Sequence, residues 1–143
     1  MTTLVIERTL AATIEQVFDF VTRRENLLKW WGPEGMTLPE ETLDFTRTGP
    51  WHSVMMNADG KRFKVSGEVT QVNPPNVVAF TWGWHDENDD RGHESRVQIE
   101  LSAEGEDATR LTLRHTDLAD DESSANHEMG WTSSLRKLER AFA

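Results

Sequence analysis

The middle of the chain is dominated by apolar residues that alternate with polar ones. Ile99 and Leu101 are separated by a charged residue, and Leu111 and Leu113 continue the alternation after a turn. A period of two residues predicts β-strands with one covered face and one solvated face, as in an antiparallel sheet. The stretch from residue 42 to residue 116 therefore predicts a run of about six strands, whose apolar face needs a cover.

Two turn signals divide this stretch into strands. Asp59-Gly60 is typical of a hairpin turn, here between residues 51–57 and 63–72. Asn73-Pro74-Pro75-Asn76 breaks the chain before a strand at residues 77–84. Within that last strand three aromatic side chains are predicted to share one face with Val78: Phe80, Trp82 and Trp84.

Helical signals precede the strands. Thr13 and Gln16 stand at the spacing of a capping box, in which each side chain satisfies a free backbone donor of the other. The residues that follow place apolar side chains on one helical face: Ile14, Val17, Phe18 and Val21. A second short helix is predicted from about Glu25 to Trp31, where Gly32-Pro33 ends it.

A long helix is predicted at the C-terminal end of the chain. Asp120 and Asp121 suit its N-terminus, where a carboxylate caps free N–H groups and complements the helix dipole. One face then carries residues at helical spacing: His127, Trp131, Leu135, Leu138 and Phe142. The sequence thus predicts an α+β fold of one strand, two short helices, a run of strands and a long helix that covers the sheet.

Length and composition exclude several classes of protein. The chain has 143 residues, and we expect residues 1–143 to form a single domain. It has no cysteine, which excludes disulfides, thiol catalysis and zinc–thiolate sites. Its net charge of −10 argues against a nucleic-acid partner. Neither a signal peptide nor an apolar run of ~20 residues is apparent, so we expect a cytoplasmic protein without membrane association.

Acidic residues cluster in two segments, 85–94 and 118–128. Neither segment has the spacing of a calcium-binding EF-hand, and we interpret both as solvated loops with no metal. The sequence also lacks a Gly-x-Ser-x-Gly motif and a glycine-rich phosphate loop. We therefore expect no cofactor and no covalent catalysis.

A set of short motifs resembles a known family. The motifs are Ile6-Glu7-Arg8, Val17-Phe18, Leu28-Lys29-Trp30-Trp31-Gly32-Pro33, Asp59-Gly60, Gly67-Glu68-Val69, Asn73-Pro74-Pro75, Phe80-Thr81-Trp82, and Gly130-Trp131 with Leu135 and Leu138. In this order, over essentially the whole chain, they resemble the helix-grip superfamily (START-like, SRPBCC or Bet v 1-like). Within it they resemble the branch named after the activator of Hsp90 ATPase (AHSA1-like). Pro50 departs from the resemblance, because the family usually has glycine there; we expect an edge or a bulge at that point.

The resemblance implies a curved seven-stranded antiparallel sheet wrapped on a long C-terminal helix, with two short helices after the first strand and a cavity between sheet and helix. It does not imply one activity. Members bind lipids, sterols or plant metabolites, some cyclise polyketides, and one eukaryotic branch stimulates a chaperone ATPase. Function must therefore be argued from the residues of the site.

The aromatic residues are the candidates for a binding site. The chain contains six tryptophans, and a sheet closed by one helix commonly leaves an apolar ligand cavity of ~300–1,000 Å³. We predict that a hydrophobic small molecule is bound by Trp30, Trp31, Met55, Phe63, Phe80, Trp82, Trp84, His115, His127 and Trp131. Packing in a solid core is the alternative explanation for each tryptophan. Further methionines could line the same space, namely Met36, Met56 and Met129.

Two histidines and one glycine leave functional alternatives open. His115 and His127 are predicted to face inward, where they could hydrogen-bond a ligand or act as acid and base. Gly130, in mid-helix, indicates either close packing or room for a ligand. The alternatives to a simple binder are a cofactor-free cyclase or dehydratase acting on a polyketide-like substrate, and a protein-interaction module such as a chaperone partner. The ligand and the oligomeric state stay open.

Overall fold

The computed structural model describes residues 2–143. It contains seven strands and three helices, which confirms the predicted α+β class. Along the chain these are β1 (Thr2–Leu10), α1 (Ile14–Thr22), α2 (Arg24–Trp30), β2 (Thr37–Glu41), β3 (Gly49–Met56), β4 (Arg62–Asn73), β5 (Val77–His85), β6 (Arg91–Ala103), β7 (Thr109–Leu118) and α3 (Asp121–Ala141). None of the helices within residues 2–143 combines the length and apolar character that crossing a bilayer requires.

The seven strands form one antiparallel sheet in the order β1-β7-β6-β5-β4-β3-β2. Strands β2 to β7 lie next to one another in chain order, whereas β1 pairs with β7 at the far edge. Helices α1 and α2 therefore connect the two opposite edges. Register shifts between Val69 and Gln71 and between Gly83 and His85 interrupt the ladders, and such bulges bend a sheet.

The predicted helix ends are formed by the side chains that the sequence indicated. Thr13 Oγ1 accepts the Gln16 N–H at 3.2 Å, and Gln16 Oε1 accepts the Thr13 N–H at 3.0 Å, so the capping box is complete. Gly32, with a φ of +83°, ends the segment that contains α2. Asp120 Oδ1 accepts the Ser123 N–H at 2.8 Å and caps α3.

The acidic segments are more ordered than the sequence suggested. Strand β6 already begins at Arg91, so the loop after β5 spans only residues 86–90. Residues 121–128 were interpreted both as part of a solvated loop and as the start of the C-terminal helix; they form the first two turns of α3, so the loop interpretation is wrong for them. Carboxylates are favourable at a helix N-terminus, which explains why an acidic run is helical there. Pro50 lies at the start of β3, beyond Ser53, the last residue paired with β2, and thus at an edge as expected.

The core lies between one face of the sheet and the helices. Trp31, which follows α2, is its centre: its ring lies 5.5 to 6.2 Å from Phe45, Trp51 and Phe80. Its indole N–H donates to Ser53 Oγ at 3.0 Å, so a polar group of β3 satisfies the buried donor. Aromatic pairs at these separations contribute about 0.5–1.5 kcal/mol each beyond their buried area.

The two halves of α3 pack differently. Leu135 and Leu138, in the C-terminal half, are fully buried against the core. The N-terminal half instead places small or polar residues toward the sheet, among them Ser123 and Gly130, so nothing fills the space beneath it. The long helix therefore closes the core at one end and roofs a cavity at the other.

Gly67 allows β4 and β5 to approach closely. A Cβ built at this position would overlap the carbonyl oxygen of Thr81, which is backbone and cannot turn away. Gly67 stands opposite Trp51 of β3, next to the bulged part of the β4–β5 ladder. Glycine is therefore required for strand packing at this point.

We expect Gly67→Ala to lower the free energy of unfolding by at least about 1–3 kcal/mol, because the methyl group has no space. Chemical unfolding followed by tryptophan fluorescence measures this. Gly92→Ala in β6 is the matched control, since a Cβ there meets only the Trp84 carbonyl oxygen at 3.6 Å. Equal stability of the two variants would contradict the steric explanation.

Candidate functional site

A cavity of about 470 Å³ lies between the sheet and the N-terminal half of α3. Its walls come from the segment after α2, from strands β3, β4 and β5, and from α3. The lining residues are Trp31, Gly32, Pro33, Met36, Met55, Phe63, Trp82, Trp84, Asp120, Glu122, Ser123, Asn126, His127, Gly130, Trp131 and Ser134. Its volume and its aromatic walls are typical of sites for small apolar ligands.

Seven of the ten predicted binding residues line this cavity: Trp31, Met55, Phe63, Trp82, Trp84, His127 and Trp131. Three do not. Trp30 is fully buried and donates its indole N–H to the Phe20 carbonyl at 2.9 Å, which places it in the core beside α1. Phe80 is buried in the core beside Trp82, with its ring centroid 4.5 Å from that of Phe45. His115 is also fully buried and lies outside the cavity lining.

Met36 and Gly130 also line the cavity, whereas two of the other methionines considered from the sequence do not. Met36 lines the cavity, whereas Met56 does not and Met129 is 73% exposed. A Cβ at Gly130 would meet only Pro33 Cγ, at the ordinary contact distance of 3.8 Å. Close packing therefore does not require glycine at this position, and its lack of a side chain leaves space at the cavity wall.

A hydrogen bond joins Trp84 of β5 to His127 of α3. Trp84 Nε1 lies 3.0 Å from His127 Nε2. An indole N–H can only donate, so Nε2 is the acceptor and the imidazole proton is on Nδ1. Nδ1 lies 2.7 Å from the Ser123 carbonyl oxygen and donates to it. Both ring nitrogens of His127 are therefore occupied.

A second bond of the same kind joins Trp131 of α3 to His115 of β7. Trp131 Nε1 donates to His115 Nδ1 at 3.1 Å, which assigns the His115 proton to Nε2. That nitrogen lies 2.7 Å from Ser95 Oγ, which in turn donates to the Trp82 carbonyl at 3.4 Å. His115 is fully buried and lies outside the cavity lining, whereas Trp131, which donates to it, is part of that lining.

Burial keeps both histidines neutral. It lowers the pKa of His115 to about 3, with a smaller contribution from the neighbouring His127. Burial also lowers the pKa of His127, although the Ser123 carbonyl opposes that shift. The two rings lie 4.7 Å apart, so a charge on one would disfavour a charge on the other. Neither imidazole presents a free nitrogen for proton transfer, which argues against the acid–base role that the sequence left open.

The polar part of the lining was not predicted from the sequence. Asp120, Glu122, Ser123, Asn126 and Ser134 all come from the start and one face of α3. The signal was present: residues 123, 127, 130 and 134 share the helical face of Trp131 but are small or polar. An inward helical stripe of small residues indicates that the helix covers a space rather than a packed core.

Two further observations describe the polar chemistry of the site. The Trp82 indole N–H is buried and has no hydrogen-bond partner within residues 2–143. In the same part of the chain no three histidine or acidic side chains come together in a way that could hold a metal ion. The arrangement can bind apolar groups, with few polar atoms free to orient them.

The neutral His115 should make stability depend on pH. Its pKa rises from about 3 to its ordinary value of 6.5 on unfolding, so between these values the unfolded chain binds a proton that the folded chain does not. The contribution of His115 to the free energy of unfolding is fully present above pH 6.5. Below that pH it declines by about 1.4 kcal/mol per pH unit. When the pH falls from 6.5 to about 5, we expect the free energy of unfolding of the parent protein to fall by about 2 kcal/mol more than that of the His115→Asn variant, as measured by urea unfolding. Equal losses would contradict this assignment.

Known proteins resemble this chain in sequence and in fold. A family model described as "Activator of Hsp90 ATPase homolog 1-like protein" matches residues 11–143. The AHSA1 protein from Silicibacter pomeroyi is 52% identical, with a TM-score of 0.94, and the match covers 98% of this chain and 96% of that one. No curated protein matches the chain.

More distant structures share the fold alone. A protein from Chromobacterium violaceum is 21% identical, with a TM-score of 0.84 over 99% of this chain and 98% of that one. A protein from Mycobacterium smegmatis is 23% identical, with a TM-score of 0.79 over 99% and 90% of the two chains. Because the family model spans almost the whole sequence, the chain belongs to the activator of Hsp90 ATPase homolog 1-like family, within the helix-grip superfamily.

Proposed function

We propose that the protein binds a hydrophobic small molecule in the cavity between the sheet and α3. The observation that carries the proposal is the cavity itself, about 470 Å³ in volume, which four tryptophans and Phe63 line. The fold commonly binds hydrophobic ligands. Burying apolar ligand surface against these rings contributes about 25 cal/mol per Å² before the costs of association.

Hydrogen bonds fix three of the tryptophan rings that line the cavity. Trp84 and Trp131 are each fixed by a hydrogen bond to a histidine, so their rings cannot easily turn to fill the space. Trp31 is fixed in the same way by Ser53. A preformed apolar site loses less free energy to ordering on binding than one that must first open.

The two alternatives have less support. A cyclase or dehydratase needs an imidazole with a free nitrogen at the cavity, and His127 has both nitrogens hydrogen-bonded. A protein-interaction module needs an exposed apolar patch, and within residues 2–143 the only exposed large hydrophobic side chains are Val5 and Met129. The family name alone therefore does not carry a chaperone role to this chain.

Filling the cavity should weaken ligand binding without unfolding the protein. We expect Gly130→Leu to weaken binding of the neutral probe 1-naphthalenemethanol at least about tenfold, because the new side chain occupies ligand space. Titration calorimetry measures the affinity. Leu is also a better helix former than Gly by up to about 1 kcal/mol, so thermal stability should not fall.

Ala125→Leu is the matched control, since residue 125 is an exposed position of α3 outside the cavity lining. It adds the same side chain to the same helix and should bind the probe as the parent does. A parent protein that does not bind 1-naphthalenemethanol, or a Gly130→Leu variant with undiminished affinity, would contradict the proposed function.

A further inference from the structure

The charged groups that line the cavity are all of one sign. They are Asp120 and Glu122, and within residues 2–143 no lysine or arginine is part of the lining. Neither carboxylate forms an ion pair with a basic side chain of the described residues. The whole chain also carries a net charge of −10. The charged part of the cavity wall is therefore negative, and no basic side chain of the described residues pairs with it.

The positive end of α3 does not offset this charge for a ligand. Asp120 Oδ1 already accepts the Ser123 N–H at 2.8 Å, and the Asp120 carbonyl accepts the Ser124 N–H at 3.1 Å. The helix N-terminus thus already holds an anion of the protein's own. A carboxylate or phosphate ligand would have to displace or approach that anion.

The apolar wall has the opposite preference from an anion site. The faces of aromatic rings attract cations, tryptophan most strongly, and the lining includes Trp31, Trp82, Trp84 and Trp131. Phe63, also in the wall, already has the Lys61 ammonium 5.2 Å from its ring centroid, although Lys61 itself is outside the lining. Ring faces and carboxylates at one cavity favour the same ligand charge.

The geometry points to a cationic amphiphile as the ligand class: a molecule with an apolar body among the tryptophans and a protonated amine or quaternary ammonium group beside Asp120 and Glu122. This inference rests on the proposed function, because it specifies the ligand of the same cavity. The carboxylates need no proton transfer and no metal for this role. They select charge, while the rings bind the apolar body.

Three naphthalene probes of similar shape test the inference: the cation 1-naphthylmethylamine, the neutral 1-naphthalenemethanol and the anion of 1-naphthaleneacetic acid. Each is titrated by calorimetry at pH 7 and low salt. We expect the cation to bind at least about tenfold more tightly than the anion, with the neutral alcohol between them. Raising the salt concentration to about 0.5 M should lower the ratio of cation affinity to anion affinity, because charges at the cavity opening are then screened.

The double variant Asp120→Asn, Glu122→Gln removes both charges, and asparagine preserves the helix cap. We expect the cation-to-anion affinity ratio to fall below about threefold. The matched control is Glu106→Gln, Asp107→Asn, which removes two charges from the exposed turn between β6 and β7 and should keep the parent ratio. Should the double variant unfold, Glu122→Gln alone must lower the ratio at least about twofold.

Each outcome decides between the two proposals. Equal affinities for cation and anion, or a ratio that the double variant leaves unchanged, would overturn the charge selection while binding of 1-naphthalenemethanol upheld the cavity. A ratio that falls equally in the control variant would assign the preference to net charge and overturn the role of Asp120 and Glu122. Failure of all three probes to bind would overturn the proposed function and this inference together.

Discussion

Two indole-to-imidazole hydrogen bonds hold the N-terminal half of α3 above the sheet. Trp84 of β5 donates to His127 of α3, and Trp131 of α3 donates to His115 of β7, so each element supplies a donor or an acceptor to the other. A buried donor left without an acceptor costs about 1–3 kcal/mol. The histidines are thus required as neutral acceptors, and burial keeps their pKa values low enough for that role.

Held in this way, α3 can span a space that its own side chains do not fill. Its C-terminal half is anchored by Leu135 and Leu138, and its N-terminal half by the two bonds to the sheet. Between these anchors, Gly130 and Ser134 contribute almost no volume. Trp31, packed against five other rings besides its neighbour Trp30, keeps the opposite wall rigid. The cavity therefore follows from a strongly packed frame and not from a loose core.

The fold could be predicted from local patterns, because the alternation of the strands, the Thr13–Gln16 box and the Asp120 cap are properties of neighbouring residues. Which of the tryptophans line the cavity could not be predicted in this way. Trp30 and Trp31 are adjacent and both are buried in the core, yet only Trp31 also lines the cavity, since helix and loop geometry turn their rings differently. The role of His115 was also beyond the sequence, because its partners Ser95 and Trp131 are distant along the chain.

If an apolar ligand binds in the cavity, it contacts the cavity tryptophans, and the NMR signals of their indole N–H groups report that contact. In a ¹⁵N-labelled sample each of the six tryptophans gives one such NMR signal. On adding 1-naphthalenemethanol, we predict large shifts for Trp31, Trp82, Trp84 and Trp131 and smaller ones for Trp30 and Trp51, which lie outside the lining. If saturating probe leaves the four lining signals unmoved, or shifts the Trp30 and Trp51 signals equally, the ligand does not bind in this cavity.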